Sequence, residues 1–233
     1  MKPIQKSNIL LSDLIIYEDT HILVCHKPAK MAVETKQLVQ KDLESILKTY
    51  LSSSSPEPVY LATINRLDQP VEGLILFAKT KKAAAELNRQ LTQNRITKEY
   101  LALLSAVPLQ KKGTLRDYMI KDGKNNISRV VPKDEGNAKL AELSYELLET
   151  LKDTALVRIQ LKTGRHHQIR AQFSHLGCPL LGDVKYGGIQ NPDLCLCAFH
   201  LGFLHPITLK PMDFMVAPKN VSFFAFSKQM ETL

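Results

Sequence analysis

The sequence predicts an α+β fold built on a mixed, largely antiparallel sheet flanked by helices and loops. Three observations point there. Strand-like runs outnumber helical ones and do not alternate strictly with them, as a doubly wound parallel sheet would require. Only two long segments place apolar residues at helical spacing, and a third helix opens late in the chain. No internal repeat or low-complexity linker divides the 233 residues, a length that one domain with a substantial core can use in full.

In chain order, His21-Ile-Leu-Val-Cys25 reads as a strand, and Lys27-Pro28 turns the chain because a residue before proline is pushed out of the helical region. Over residues 36–52, Val39, Leu43, Ile46, Leu47 and Tyr50 recur at helical spacing. That helix ends in the serine run that leads to Ser55-Pro56. Strands over 59–63 and 73–78 flank the connection Ile64-Asn-Arg-Leu-Asp-Gln-Pro70. Residues 81–93 are helical, with Ala83, Ala84, Leu87 and Leu91 available for burial, and 96–106 return to a strand. The stretch 111–139 is basic, holds Gly, Asn and Asp, and has few large apolar residues. It reads as a mobile excursion or a hairpin. Strands resume at 141–150 and 155–162, a helix opens near Arg165, and a last strand covers 194–204. Pro206 and Pro211 mark turns.

Composition narrows the function. Lys plus Arg exceed Asp plus Glu by 31 to 23, a net charge of +8, with a pI near 9.2. This balance favours polyanionic partners and equally fits a solubilising surface. No run is long and apolar enough to span a bilayer, and Ser12, Asp13, Glu18 and Asp19 interrupt the N-terminal apolar residues, so neither a membrane partner nor a signal peptide is expected. Cys25, Cys178, Cys195 and Cys197 lack paired metal-type spacing and sit in apolar runs. They read as buried free thiols, in keeping with a cytoplasmic protein. The three histidines His166, His167 and His175 lack acidic or thiol neighbours at ligand spacing, so no metal and no cofactor is expected.

Three segments could carry chemistry. Asp68, between two strands, suits either an Asx-turn or a nucleophilic or basic carboxylate presented by a rigid sheet. Around Thr163-Gly164-Arg165, a strand gives way to a helix crowded with donors. Arg165 could hold a phosphate or a carboxylate, or simply belong to a basic surface helix. Tyr100 could pack as a strand residue or stack on a base.

Taken together, these segments resemble the RluA-type pseudouridine synthases. The quoted motifs are Tyr17-Glu18-Asp19 with Leu23-Val24 and Lys27-Pro28, then Arg66-Leu67-Asp68 with Gly73-Leu74-Ile75-Leu76 and Ala78-Lys79-Thr80, then Lys98-x-Tyr100-x-Ala102. Thr163-Gly164-Arg165-x-His167-Gln168-Ile169-Arg170 follows, with Gly177, Pro179, Leu180, Gly182, Asp183, Tyr186 and Gly187. Leu194-x-Leu196-x-Ala198-x-x-Leu201-x-Phe203-x-His205-Pro206 closes the match, which covers residues 17–206. The resemblance implies the pseudouridine synthase catalytic fold and an RNA substrate, ribosomal or transfer RNA. It implies Asp68 as the catalytic residue, Tyr100 stacking on the uracil and helping with its proton, and Arg165 pairing with Asp68. It also implies substrate contacts from Lys27, Arg66, His167, Gln168, Ile169 and Arg170, with Leu201 as an apolar wall of the uracil pocket.

Four positions depart from the family pattern. Asn65 stands where His is usual, Val71-Glu72 where Thr-Ser is usual, and Cys197 where His is common. Glu72, if it faced the pocket, would repel phosphate and disfavour an ionised Asp68. Two rival readings follow: a non-catalytic RNA-binding or chaperone homologue of the same fold, and a base-excising glycosylase that releases free uracil. With about 16 residues before the first motif, a single catalytic domain over 1–233 without a separate N-terminal RNA-binding module is expected. So is a monomer, with residues 111–129 as a phosphate clamp through Lys111, Lys112 and Arg116.

Overall fold

The computed structural model describes residues 11–35, 42–53 and 58–230. Val39, Ser54, Ser55 and Pro56 of the first expected helix and its loop lie outside them. Among the described residues one continuous sheet of eleven strands runs β1-β2-β4-β10-β5-β9-β8-β6-β7, with β3 added to β4 and β11 to β10. The strands are β1 (Ile15–Glu18), β2 (Ile22–Lys27), β3 (Ala62–Thr63), β4 (Glu72–Ala78), β5 (Thr97–Leu104), β6 (Lys112–Asp122), β7 (Ile127–Val131), β8 (Lys139–Leu151), β9 (Thr154–Leu161), β10 (Leu196–Leu204) and β11 (Pro211–Met215). Every pairing is antiparallel except β4 with β10, so the mixed, largely antiparallel α+β expectation holds.

The helices are α1 (Leu43–Ser52), α2 (Lys81–Thr92), α3 (Gln168–His175) and the short α4 (Ser227–Met230). Side chains cap the first two. Asp42 accepts from Ser45 N at 2.7 Å and Thr80 accepts from Ala83 N at 3.2 Å, each worth about 1 kcal/mol. Helix α1 buries Leu43 and Leu47 against Leu23, Cys25, Ile75 and Phe77. Helix α2 buries Ala83, Ala84 and Leu87 against Ile22, Leu74, Leu76 and Phe203. Helix α3 adds Ile169 and Phe173 to a cluster with Tyr100, Ala102, Val157, Ile159 and Ala198. The aromatic rings of Phe223 and Phe226 cover Leu101, Leu103, Cys195 and Cys197 on the opposite face.

Several expectations shift. Helix α3 opens at Gln168 rather than near Arg165, because His167 is left-handed with φ 52° and breaks the helical run. The strand expected over 59–63 shrinks to Ala62–Thr63. Strands β1 and β11 appear where turns or no regular structure were expected. Both are short edge additions that a pattern of alternation hardly marks. The stretch 111–139 holds the β6–β7 hairpin, whose β6 pairs with β8 over eight residues. Within it Lys112 meets Glu146 at 2.7 Å and Arg116 meets Glu142 at 3.5 Å, so two of the three expected phosphate grips already have acidic partners. All four cysteines are free and buried, and no helix among the described residues is long and apolar enough to cross a membrane.

Candidate active site

The turn that carries Asp68 is fixed from both ends. Before it, Ile64 N donates to Leu76 O at 2.9 Å. Asn65 bridges the β4 backbone, donating from Nδ2 to Leu74 O at 3.2 Å and accepting from Leu76 N at 2.7 Å. Within the turn, Val71 N donates to Asp68 O at 3.0 Å, while Leu67 and Val71 are packed in the α3 cluster. From beneath, the fully buried Lys27 donates its ammonium to Pro28 O at 2.9 Å, Met31 O at 2.8 Å and Gln69 O at 3.0 Å. Asn65 thus replaces a strand neighbour for β4, which gives this departure a structural role.

Next to the turn, three strands bring a glycine, an alanine and a tyrosine side by side. Gly73 of β4 lies beside Ala198 of β10, and Ala198 lies beside Tyr100 of β5. Gly73 has φ 121°, and a Cβ there would sit 2.3 Å from Ala198 O, so only glycine allows this close parallel approach. Tyr100 is buried in the same cluster as Leu67 and Val71. Because successive strand residues face opposite sides, Glu72 points away from this cluster. Its carboxylate accepts from Lys219 N at 3.0 Å and Asn220 N at 3.1 Å on the far face. The expected conflict between Glu72 and an ionised Asp68 therefore does not arise by direct contact, and its register partner Cys197 is buried on that same far side.

The partner of Asp68 is Arg170. The carboxylate, 29% exposed, has Arg170 Nη1 at 3.7 Å and His167 Nε2 at 3.6 Å. Arg170 is itself held by a bidentate pair with the buried Asp183, at 2.7 and 2.8 Å, and its guanidinium lies over the Tyr186 ring at 4.9 Å. Arg165, expected to pair with Asp68, instead donates from Nε to Leu140 O at 2.8 Å and is exposed. The left-handed His167 is the reason: it places residue 165 outside the helix and lets residue 170, in the first turn of α3, face inward.

Electrostatics follow from burial. Burial raises the Asp68 carboxyl above the ordinary range, while Arg170 and Lys27 pull it down and Asp183 adds to the rise. Burial works against charge on Arg170, but Asp183 and Asp68 raise its pKa further. Burial, reinforced by Asp68, pushes the Tyr100 phenol well above its usual value. Burial with Arg170 nearby lowers His167 to about 3, and burial with Lys121 lowers His166 to about 4, so both are neutral rings at neutral pH.

The remaining expected contacts divide. Lys27 supports the turn from below, and Arg66 is exposed within electrostatic reach of His166. Gln168 is buried, and its amide is used up on Glu142 O, Gln172, Thr163 and Arg165 N, so it ties α3 to the sheet rather than facing substrate. Ile169 is core. Leu201, past the irregularity between Ala198 and His200, packs in the α2 cluster and not beside Asp68. Asp183 and Tyr186 were not anticipated as site residues, although a buried arginine needs a carboxylate and Asp183 stood in the quoted motif. A cavity of about 250 Å³ beside the site is lined in part by Pro70, Arg170, Asp183, Lys185 and Leu194.

The family model described as RNA pseudouridylate synthase matches residues 21–175, a span that includes Asp68, Tyr100 and Arg170. The chain belongs to this family. It is 33% identical over 179 residues to ribosomal large subunit pseudouridine synthase C of Rickettsia prowazekii, covering 76% of this chain and 57% of that protein. It is 31% identical over 229 residues to the synthase of the same name from Buchnera aphidicola, covering 94% and 70%. An RNA pseudouridine synthase of Bacillus subtilis described as uncharacterized, YlyB, is 32% identical over 206 residues, covering 86% and 67%. The chain thus spans little more than half the length of the Rickettsia relative. The human structure titled RNA Pseudouridylate Synthase Domain Containing 4 superposes with a TM-score of 0.75 at 22% identity, covering 94% of each chain, a likeness of fold. In this pseudouridine synthase fold the Asp68 turn, the Tyr100 strand and α3 converge on one face of the sheet.

Proposed function

We propose that the protein isomerises a uridine in structured RNA to pseudouridine, with Asp68 as the catalytic residue. The observation that carries this reading is the partly exposed Asp68 carboxylate, on a turn fixed by Asn65 and Lys27, facing Arg170 and packed over the Tyr100 cluster. The net charge of +8 suits a polyanionic substrate.

In the reaction the bond from ribose C1′ to uracil N1 breaks, the base turns, and C1′ bonds to C5. The C5 proton leaves and N1 gains one, with no net redox change. The base must leave its stack to reach Asp68, at a cost of a few kcal/mol that loops and distorted stems reduce. Ionised Asp68 either attacks C1′ or removes a ribose proton to give a glycal. Arg170 keeps it ionised and oriented. Tyr100, held as a neutral phenol by burial, stacks on the uracil and orients a water toward C5. Arg66, exposed at the turn, fills the space that the flipped base vacates.

The test is tritium release from RNA labelled at uridine C5, taken from cells lacking this protein and separated into ribosomal and transfer pools. The relatives' names make the ribosomal pool the first to assay. Wild type is expected to release tritium without free uracil, and Asp68→Asn to release none. Free uracil would indicate a glycosylase. Bound RNA without tritium release would leave a binding protein.

A further inference from the structure

The hairpin tip reaches the catalytic carboxylate through a chain of ring contacts. Ser128 N of β7 donates to Tyr186 Oη at 2.7 Å, and Tyr186 Oη lies 2.9 Å from His167 Nδ1. His167 Nε2 in turn lies 3.6 Å from Asp68 Oδ2. The His166 ring stacks on His167 with centroids 3.8 Å apart. It takes its own partners from the same tip, Ser128 Oγ at 2.9 Å and Asn126 Oδ1 at 3.1 Å. Both histidines of the pair are therefore seated by the hairpin or by the tyrosine that the hairpin touches.

The tautomer of His167 sets the direction of this chain. Tyr186 accepts the Ser128 amide hydrogen, and the chain runs toward Asp68 when its one hydroxyl hydrogen goes to His167 Nδ1 rather than its second lone pair accepting from that nitrogen. A neutral imidazole with Nδ1 accepting carries its hydrogen on Nε2, the nitrogen turned toward Asp68. At 3.6 Å that contact is longer than a hydrogen bond, and catalytic contacts commonly tighten once substrate is bound. The backbone at His167 is left-handed, with φ 52°, a conformation that a residue with a Cβ rarely adopts unless its surroundings hold it there.

We propose that Tyr186 and His167 are positioning residues for Asp68, and that through them the seating of the β6–β7 hairpin on RNA is coupled to the orientation of the catalytic carboxylate. The role assigned to Asp68 rests on the reading above, whereas the ring chain can be tested without turnover. The other groups that face Asp68 are Arg170 from α3, Lys27 from β2, Asp183 from the loop after α3 and Tyr100 from β5. Of these, Arg170 also touches the chain, with its guanidinium 4.9 Å from the Tyr186 ring centroid.

Nitrogen-15 NMR of the histidine rings in the whole chain decides the geometry. His167 is expected as the neutral Nε2–H tautomer from pH 5 to 8, and Tyr186→Phe is expected to mix its tautomers. Ser128→Pro removes an outward amide from an edge strand, where proline is tolerated, together with the Oγ contact to His166, and is expected to shift the His167 signals in the same sense. A His167 carrying its hydrogen on Nδ1, or signals indifferent to both variants, would overturn the coupling. In the RNA pool that supports tritium release, Tyr186→Phe is expected to slow single-turnover isomerisation about 10-fold with unchanged RNA affinity. It should also move the acid limb of the rate to higher pH, because an Asp68 with one donor fewer ionises less readily. His167→Gln keeps a donor toward Asp68 and should retain more rate than His167→Leu, and adding Tyr186→Phe to His167→Leu should cost nothing further. Independent, multiplying losses would mean that the two residues act separately and would overturn the proposal. Absence of turnover in wild type would sink the catalytic reading, and the ring signals would still settle whether the chain exists.

Discussion

Two buried cations flank the Asp68 turn, and they are held in opposite ways. Lys27 gives its hydrogen bonds to three neutral carbonyl oxygens. Burial then pushes its amine down to about 7, although Asp68 and Glu72 pull it back up. Arg170 has a bidentate carboxylate partner in Asp183 and keeps its charge in a site of similar burial. The difference teaches a division of labour. A lysine among carbonyls is a mechanical tie on the backbone at Gln69, whereas an arginine with its own counterion is an electrostatic neighbour for the Asp68 side chain.

The harshest way to break this comparison is Arg170→Ala. It leaves Asp183 buried at 2% exposure with no cation, a change that costs about 3–5 kcal/mol when one partner of a buried pair is removed. Urea unfolding should show that loss, and tritium release should vanish with it. Arg170→Lys should recover part of the stability but not the two-pronged hold on Asp183. Full stability in the alanine variant would mean that the Asp183 pair is not the anchor described above.

Lys27→Met tests the other half, and its signature lies in pH rather than in size. The native amine titrates near 7 and the unfolded one near its ordinary 10.5. Below pH 7 both states hold the proton and the burial penalty is complete. Between 7 and 10.5 the unfolded state binds up to one proton more, so wild-type stability gains up to about 1.4 kcal/mol per pH unit from this residue. Subtracting the unfolding free energy of Lys27→Met from that of wild type across this window should leave that positive slope. A flat difference would mean that Lys27 stays protonated in the fold. Turnover should fall less than in Arg170→Ala, because the methionine loosens Gln69 without removing the partner of Asp68.

How much of this was legible follows physical lines. Helices α1 and α2 announce themselves because each buries one stripe of a two-sided pattern. The central strands do so because β2 and β4 are apolar on both faces. Asp68, Tyr100 and the basic segment before α3 were all visible as residues. What the sequence could not show was which of two arginines, five residues apart, turns inward, since that depends on a left-handed histidine and no residue pattern demands one there. Glu72 was ambiguous for a related reason. Only the register of β4 against β10 decides its face, and the backbone of Lys219 and Asn220 that satisfies it is 147 and 148 residues away.

The smallest expected effect is the one that most sharpens the contrast between the two arginines. Arg165 is exposed and its guanidinium donates to a backbone carbonyl, that of Leu140. Arg165→Ala should therefore change unfolding free energy by no more than about 0.5 kcal/mol. It should also leave the acid limb of the pH–rate profile where it is, because no charge beside Asp68 has been removed. Arg170→Lys, by contrast, should shift that limb to higher pH, since the weaker hold lets burial raise the Asp68 carboxyl further. If Arg165→Ala moved the limb as far as Arg170→Lys does, Arg165 would have to swing onto Asp68 when RNA binds. Arg170 would then be an anchor for Asp183 and the loop around Tyr186 rather than the partner of the Asp68 carboxylate.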